Sequence, residues 1–294
     1  MLVRIITALI MAPLALAAIY LLEVQAFALV IGAVVAWASF EWAGLVFTRP
    51  ATEQTESATN NPVARLIVAL VFVSTALALC GWLWLRPDMQ GQWLIVASVC
   101  WAWAIIEVLI YPRQLPAGSI PEAAGARPNL RWILFGLVVL PAAWAAMVLL
   151  KARDPDLLVL VCFLVWGADA GAYFVGKAMG QRKLAPKVSP GKTWEGAIGG
   201  ALVGVLAALG FGWWRIASVQ EALFTWCCLL VGLVVVSVFG DLFESILKRS
   251  AGAKDSGRLL PGHGGILDRI DALIAVLPAM ALALLFASEL GNSV

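Results

Sequence analysis

The composition of this chain is that of a protein whose main solvent is a lipid bilayer. Of its 294 residues, 62% are hydrophobic and only 13% are charged, and the formal net charge is +2. Soluble domains are nearer 45–50% apolar and about 25% charged, so these values exclude a cytosolic enzyme, a disordered chain and a secreted disulfide scaffold. A net charge so close to zero argues neither for nor against nucleic acid, and we expect no nucleic-acid partner.

Apolar segments long enough to cross a membrane follow one another along the whole chain. A helix needs about 20 mostly apolar residues to span the hydrocarbon core, and in lipid it must satisfy its own backbone hydrogen bonds. We therefore predict an all-α integral membrane protein, a polytopic bundle of about nine transmembrane helices. The predicted spans cover residues 5–22, 26–47, 64–85, 92–111, 131–150, 157–179, 194–214, 222–247 and 266–289.

The first span has some features of a signal peptide. Arg4 precedes the apolar run, and Ala15–Ala17 resembles a small-residue cleavage site. The run continues to Leu22 without a polar start to a mature protein, so we interpret it as a retained span. We divide the chain into an N-terminal membrane-spanning region, 1–150, with about five helices and a C-terminal membrane-embedded region, 151–294, with about four helices and two basic loops.

The distribution of Lys and Arg predicts the orientation of the bundle. Sixteen of the 20 cations fall on the side of the N-terminus. Cytoplasmic loops of membrane proteins carry an excess of Lys and Arg, so we place the N-terminus and the even-numbered loops in the cytoplasm. The two longest connections, 48–62 and 112–130, have the composition of plain solvated loops. The four cations on the opposite side are Arg86, Lys151, Arg153 and Arg215.

Charged residues are concentrated in the C-terminal region. The N-terminal spans are nearly free of charge, with Glu41 and Glu107 as exceptions near predicted cytoplasmic ends, where an interfacial position and a site role are both open. The last 140 residues hold ten of the 20 cations in two loops, with acids at the adjoining helix ends. Ionisable groups at membrane depth are costly and usually face an interior cavity. We therefore expect the chemistry in this region.

Cysteine and histidine narrow the possible chemistry. The five cysteines all lie in apolar runs without a C-x-x-C pair, so they read as small buried hydrophobes. His263 is the single histidine, whereas a catalytic zinc site needs about three protein ligands. Any metal is therefore expected to be a hard cation held by carboxylates.

A first polar stretch lies in the sixth predicted span. Asp169, Tyr173 and Lys177 recur every four residues and so share one helix face. Gly167 and Gly171 have the same spacing, which lets another helix approach closely. The stretch is typical either of a functional face or of a packing seam with one buried ion pair.

A second stretch, 183–196, carries several lysines and hydroxyls. Its Gly-Lys-Thr ending resembles a nucleotide-binding P-loop, but Pro186 replaces the first glycine and a membrane helix precedes the stretch instead of a strand. We reject that reading. Ser189, Lys192 and Thr193 lead into a helix N-terminus, which suits phosphate oxygens. The alternative is a basic anchor for anionic lipid headgroups.

A third stretch joins the last two spans. Asp241, Glu244 and Lys248 fall on one helix face, and Asp268 and Asp271 lie close to the start of the last span. Asp241 ends one helix and Asp268 begins the next, so we expect the two side chains to face each other. Two carboxylates with substrate phosphates are the usual way to hold Mg²⁺. The alternative is helix-dipole capping together with membrane topology.

The third stretch resembles a known family signature. It matches the pattern of phosphatidate cytidylyltransferases, Ser-x-apolar-Lys-Arg, Lys-Asp-x-Gly and apolar-Pro-x-His-Gly-Gly-apolar-x-Asp-Arg-apolar-Asp, at every fixed position. The similarity is strong over 157–290 and is limited before that to the hydrophobic pattern and Glu41–Trp42. The matching residues are Ser245, Leu247, Lys248, Arg249, Lys254, Asp255, Gly257, Leu260, Pro261, His263, Gly264, Gly265, Ile266, Asp268, Arg269, Ile270 and Asp271.

The resemblance implies an enzyme that joins CTP and phosphatidic acid into CDP-diacylglycerol and pyrophosphate. It also implies a nine-span homodimer in the bacterial inner membrane, its site facing the cytoplasm, with Mg²⁺ on Asp241 and Asp268 and, for some members, K⁺ beside it. Catalytic roles are expected for Asp241, Asp268, Lys192 and Lys248. Substrate-binding roles are expected for Asp169, Ser189, Thr193, Arg249, Lys254, Asp255, His263, Gly264, Gly265, Arg269 and Asp271.

Other classes of membrane protein share parts of this pattern. A transporter or flippase for an anionic lipid would also carry polar residues at membrane depth, but it would not release pyrophosphate. A CTP-dependent lipid kinase would release CDP. A CDP-alcohol phosphotransferase is disfavoured because its Asp-Gly-x-x-Ala-Arg core is not found in the sequence.

Overall fold

The protein folds as a bundle of helices with one small β-hairpin. A computed structural model describes residues 2–47, 62–114, 130–257, 259 and 264–292. The helices before the hairpin are α1 (Leu2–Leu21), α2 (Val24–Phe47), α3 (Pro62–Leu85), α4 (Gln90–Gln114), α5 (Leu130–Arg153) and α6 (Pro155–Met179). The hairpin is β1 (Lys183–Ala185) and β2 (Ser189–Thr193), followed by α7 (Trp194–Arg215), α8 (Ala217–Glu221), α9 (Leu223–Ser250) and α10 (Leu267–Asn292).

The structure confirms an all-α polytopic membrane protein. Among the described residues, eight helices are long and apolar enough to cross a membrane. They correspond to the second through ninth predicted spans. The first predicted span forms α1, whose described apolar stretch, Leu9–Leu21, is shorter than a membrane span, so the first span, and with it a total of nine, stays a prediction. The predicted loops 48–62 and 112–130 fall almost entirely outside the described residues.

The segment after α6 is a hairpin, where the sequence predicts a loop. Strands β1 and β2 pair antiparallel, with Lys183 opposite Thr193 and Ala185 opposite Ser189. Val188 is buried beneath the turn, and its N–H donates to the Ala185 carbonyl at 3.1 Å. The sequence predicts no strands in this connection because they are only three and five residues long, too short for an alternating pattern to stand out.

Helices α6 and α7 pack at unusually close range through their glycines. A Cβ at Gly167 would lie 3.0 Å from the Gly204 Cα, and a Cβ at Gly171 would lie 3.0 Å from the Gly200 Cα. Interhelical contact at this distance requires residues without a side chain. The close helix approach that this glycine spacing predicts is therefore confirmed, and this glycine seam fixes α6 and α7 side by side below the hairpin.

Helices from both predicted regions share one aromatic core. The rings of Phe135 in α5 and Phe243 in α9 have centroids 4.6 Å apart, and Trp42 of α2 stacks on both. The Trp42 Nε1–H donates to the Trp132 carbonyl at 3.0 Å, which satisfies the buried indole. Phe243 directly precedes Glu244, so this core fixes the rotation of α9 at the site. The functional division at residue 150 stays a prediction.

The end of the bundle remote from the hairpin carries its own polar network. Tyr20 donates to Asp156 at 2.6 Å, and Arg215 pairs with Asp156 at 3.0 Å. Lys151 donates to the Ile19 carbonyl at 2.5 Å. These contacts join α1, α5, α6 and α7 where α6 begins and α7 ends. Three of the four cations assigned to the outer side, Lys151, Arg153 and Arg215, make contacts of this kind.

Candidate active site

A cavity opens at the hairpin end of the bundle. It lies between α6, α7, α9 and strand β2 and encloses about 360 Å³. Its lining combines small apolar residues such as Ala168, Ala172 and Gly200 with polar and charged side chains. The ionisable and hydroxyl residues that line it are Asp169, Tyr173, Lys177, Lys192, Thr193, Ser237 and Asp241.

The predicted face of α6 is part of this cavity. Asp169, Tyr173 and Lys177 all line it, as their four-residue spacing predicts. Lys177 Nζ lies 5.9 Å from the centroid of the Tyr173 ring, in a cation–π contact. The stretch thus serves as a packing seam through its glycines and as a cavity wall through these three side chains.

The start of α7 brings a cation and a helix N-terminus to the cavity. Thr193 caps the helix, its Oγ1 accepting from the Gly196 N–H at 3.1 Å. Lys192 forms an ion pair with Asp241 of α9, and both side chains keep about a third of their surface exposed. An ion pair that is this exposed can exchange partners at little cost in free energy. Lys192 is therefore placed to move from Asp241 to an incoming anion.

Three carboxylates meet beside the cavity, and we call Asp241, Glu244 and Asp271 the acid cluster. One carboxylate oxygen from each lies within 4.8 Å of the others. Glu244 is 3% exposed, and among the described residues neither of its oxygens has a hydrogen-bond donor. Three acids at this distance repel one another unless a cation or protons intervene. Their oxygens fit the hard ligand set that Mg²⁺ prefers.

Lys248 connects the acid cluster to Asp268. Its Nζ lies 2.5 Å from Glu244 Oε2, outside hydrogen-bond geometry, and donates to Asp268 Oδ1 at 2.7 Å. Asp268 Oδ2 accepts from the N–H groups of Ser256 at 2.9 Å and Gly265 at 2.8 Å. Asp268 is thus linked to the acid cluster through the Lys248 ammonium, and it accepts hydrogen bonds from the loop that precedes α10.

That loop depends on two glycines with left-handed backbones. Gly252 (φ +67°) ends α9, with its N–H donating to the Arg249 carbonyl and the Ala253 N–H to the Lys248 carbonyl, the Schellman arrangement. Gly264 has φ +82°, and a Cβ there would also lie 2.6 Å from Asp268 Oδ2. The Gly265 N–H already donates to Asp268, so this donor is used within the loop.

An acid from the N-terminal half enters the same loop. Glu41 of α2 is 5% exposed and accepts from the Leu267 N–H at 2.8 Å and the Ile266 N–H at 3.2 Å. The Ser256 hydroxyl and the Trp37 Nε1–H each lie 3.0 Å from its carboxylate. Glu41 is therefore buried and in contact with the signature segment, and its site role stays a prediction.

For the remaining predicted site residues that the structure describes, it shows how exposed each side chain is. Ser189 is half-buried in β2 and is not among the residues described as lining the cavity. Arg249 is half-buried near the end of α9. Lys254, Asp255 and Arg269 are exposed. His263 lies outside the described residues, and its role stays a prediction.

The structure brings three further residues to the site. Glu244 shares a helix face with Asp241 at i+3, a spacing visible in the sequence that by itself assigns Glu244 no role. Glu41 is an acid in a charge-poor span, for which the sequence leaves an interfacial position and a site role open. Ser256 gave no signal, because a single serine in a polar loop carries none.

The whole chain matches one family model, and its relatives share one name. The model described as the cytidylyltransferase family matches residues 2–287. A phosphatidate cytidylyltransferase of Pseudomonas aeruginosa is 44% identical over 297 residues, covering 98% of each chain. One of Haemophilus influenzae is 37% identical over 298 residues, covering 94% of this chain and 95% of that protein. One of Bacillus subtilis is 47% identical over 120 residues, covering 40% and 43%.

These matches extend the similarity well beyond the signature. The sequence alone showed it chiefly over 157–290, whereas the family model also covers the N-terminal helices, including Glu41 and its contacts. A match over nearly the full length is far more specific than a shared hydrophobic pattern. The chain therefore belongs to the cytidylyltransferase family and is an enzyme of the nucleotidyltransferase class.

Proposed function

We propose that this protein transfers the cytidylyl group of CTP to phosphatidic acid, giving CDP-diacylglycerol and pyrophosphate. The family and the names of its relatives support the reaction. A phosphate oxygen of the lipid attacks the α-phosphorus of CTP, and the bond from that phosphorus to the bridging oxygen breaks as pyrophosphate leaves. Since the lipid phosphate is the nucleophile, the protein supplies positioning and charge and no attacking side chain.

The observation that carries the proposal is the buried acid cluster at a cavity with lysines. Both substrates are anions, and carboxylates alone would repel them. Glu244 is buried against the Lys248 ammonium, but the three acids of the cluster outnumber the two lysines that pair with them, which supports a place for a further cation. Asp241 of the cluster lines the cavity together with Lys177 and with Lys192, its ion-pair partner, which supports a site that gathers phosphates through cations.

Asp241, Glu244 and Asp271 are the residues that would hold the divalent cation. When bound, Mg²⁺ would polarise the α-phosphate and stabilise the leaving pyrophosphate. Asp268 is the second ligand expected from the sequence. It contacts the Lys248 ammonium, which in turn contacts Glu244, and its ligand role stays a prediction. The potassium ion implied for some family members likewise stays a prediction.

The chain's own cations and donors have distinct roles in this proposal. Lys192 leaves Asp241 and neutralises phosphate oxygens of CTP. The N-terminus of α7, capped by Thr193, directs backbone N–H groups and a positive dipole end at the same oxygens. Lys248 holds Glu244 and Asp268 at fixed positions, which keeps the acid cluster in place between turnovers.

The membrane placement follows from the charge distribution. With the hairpin end in the cytoplasm, CTP enters from water, and the lipid tails stay among the helices while the headgroup reaches the cavity. The basic hairpin then lies at the inner leaflet of the bacterial inner membrane. A homodimer, implied by the family resemblance, is part of the same proposal.

Product analysis of the purified protein tests the proposal. We expect release of pyrophosphate and formation of CDP-diacylglycerol when CTP, Mg²⁺ and phosphatidic acid are all present, and no release when any one is omitted. Release of CDP would instead indicate a lipid kinase. A protein that moves lipid between leaflets of vesicles without releasing either nucleotide product would be a flippase, and the proposal would be abandoned.

A further inference from the structure

We propose that Glu41 of α2 is a positioning residue for the reaction. Its carboxylate fixes the start of α10 and the preceding loop, and through them the positions of Asp268, Lys248 and the acid cluster. The expected effect on kcat rests on the proposed function. The expected effect on the backbone N–H groups does not, because hydrogen exchange is measured without substrate.

The contacts of Glu41 lie at the N-terminus of α10. The N–H groups of Ile266 and Leu267 belong to the turn that opens the helix, where donors have no partner within the helix. A carboxylate accepts them and is also favoured by the positive end of the helix dipole. This acid is separated from the helix it caps by 226 residues of sequence, so the contact ties the second helix to the last.

A continuous series of contacts runs from Glu41 to the acid cluster, and we call it the Glu41 network: Glu41, Ser256, Asp268, Lys248 and Glu244. The Ser256 hydroxyl lies 3.0 Å from both Glu41 Oε2 and Asp268 Oδ2. It has one proton, so it donates to one carboxylate at a time. Asp268 accepts from Lys248, which contacts Glu244.

The loop is shaped around this carboxylate. A Cβ at Gly257 would overlap Glu41 Oε1, and a Cβ at Gly265 would overlap both Glu41 Oε2 and the Ser256 hydroxyl. Both positions have room for glycine alone because Glu41 occupies the space. Glu41, which lies outside the family signature, therefore explains why these two signature positions are glycine.

Hydrogen exchange and kinetics of Glu41→Gln test the proposal. The amide keeps the shape of the side chain, but its NH₂ group cannot accept, so the donors at one of the two oxygens, either Ile266 and Trp37 or Leu267 and Ser256, lose their acceptor. We expect a peptide covering 264–270 to exchange about 10-fold faster, with peptides from α7 unchanged. We expect kcat to fall about 10-fold or more, as for other groups that orient metal ligands, and KM for phosphatidic acid to stay within about 2-fold.

Matched variants make the test specific. Glu107→Gln removes a half-buried acid from α4 in the same half of the chain and should leave exchange and kcat unchanged. Glu41→Asp keeps the charge and should retain a higher kcat than Glu41→Gln. Ser256→Ala removes the shared hydroxyl and serves if Glu41→Gln does not fold. The double variant should lose less than the two single losses multiplied, since both act through one network.

Two results would overturn the proposal. One is wild-type exchange over 264–270 in a folded Glu41→Gln protein. The other is faster exchange spread over all helices with both KM values raised, which describes a general loss of packing. Because hydrogen exchange needs no substrate, loss of local protection would stand even if cytidylyl transfer were not observed, so the two proposals fail separately.

Discussion

At the scale of the residue, the candidate site balances an excess of acids with few cations. Asp241, Glu244 and Asp271 meet beside the cavity, and Lys192 and Lys248 each pair with a member of this cluster. In the proposed reaction, an ammonium that neutralises an acid in the resting protein would become available to a phosphate once a metal ion took its place. The residues are thus arranged so that ion-pair partners could exchange, as the proposed reaction between two anions requires.

Removing one acid of the cluster should stop the reaction without unfolding the protein. Asp241→Asn and Glu244→Gln keep size and shape but lose the charge that would hold Mg²⁺, so we expect activity to fall at least about 100-fold. The remaining activity of Glu244→Gln should need more Mg²⁺. Pyrophosphate release across a Mg²⁺ titration measures both effects.

The control for this series is Asp88→Asn, an exposed acid outside the candidate site that pairs with Arg86. It should leave activity unchanged. Asp268→Asn in the same titration separates two roles, since a ligand shifts the Mg²⁺ requirement whereas a positioning acid mainly lowers kcat. Near-normal rates for Asp241→Asn would remove the metal assignment.

Lys192 should act on CTP more than on the lipid. Lys192→Ala removes a charge-assisted contact to phosphate and should raise KM for CTP about 10-fold or more. Lys183→Ala, an exposed lysine in the same hairpin, is the matched control and should have little effect. Initial rates at low and saturating CTP measure the difference, and equal rates at low CTP would contradict the assignment.

Sequence spacing located part of this site and missed the rest for a physical reason. Asp241 and Lys248 share a helix face, which periodicity reveals. The partners of Glu41 in the signature segment lie 215 residues or more along the chain, so no local pattern links them. Likewise, only the folded chain shows that Asp268 is engaged by Ser256 and Gly265.

At the scale of the element, the α6–α7 seam positions the two cavity walls. Gly200 lies against the backbone of Ala168, where an added Cβ would overlap the carbonyl oxygen. The positions of Asp169 in α6 and of Lys192, just before α7, depend on the distance between these two helices. The spans were predictable because hydropathy averages over 20 residues, whereas the hairpin was not, since it has too few residues for a period to appear.

Substituting the seam glycine should destabilise the protein. Gly200→Ala must push α6 and α7 apart, at a cost of about 1–3 kcal/mol. Gly210→Ala is the control in the same helix, where an added Cβ meets no described atom within 4 Å and alanine favours the helix. Thermal unfolding in detergent should show a lower midpoint for Gly200→Ala alone. Equal midpoints would show that the seam tolerates a wider spacing.

At the scale of the whole molecule, charge is polarised along the bundle axis. The basic hairpin and the acid cluster lie at one end, and Tyr20, Asp156 and Arg215 form a separate network at the other. Helices of the two predicted regions interlock through Trp42, Phe135 and Phe243, so the site end forms one packed unit. Orientation is therefore a property of the whole bundle.

Labelling from one side of the membrane tests this orientation. In a background with the five native cysteines replaced, Lys254→Cys should react with a charged maleimide only from the cytoplasmic side, and Arg86→Cys only from the opposite side. Both native residues are exposed. Inverted and right-side-out vesicles supply the two conditions. Labelling of both cysteines from one side would mean that the number of spans between them is even.

The contact of the second helix with the last has a consequence for biogenesis. Ribosomes release Glu41 long before Ser256 and α10, so the nascent polypeptide spends most of its synthesis without the contacts of this acid, and Asp241 and Glu244 meet Asp271 only once α10 is made. If the proposed site is correct, catalytic competence arrives only with insertion of the final span. A truncated translation product would then reach the bilayer but would be inert.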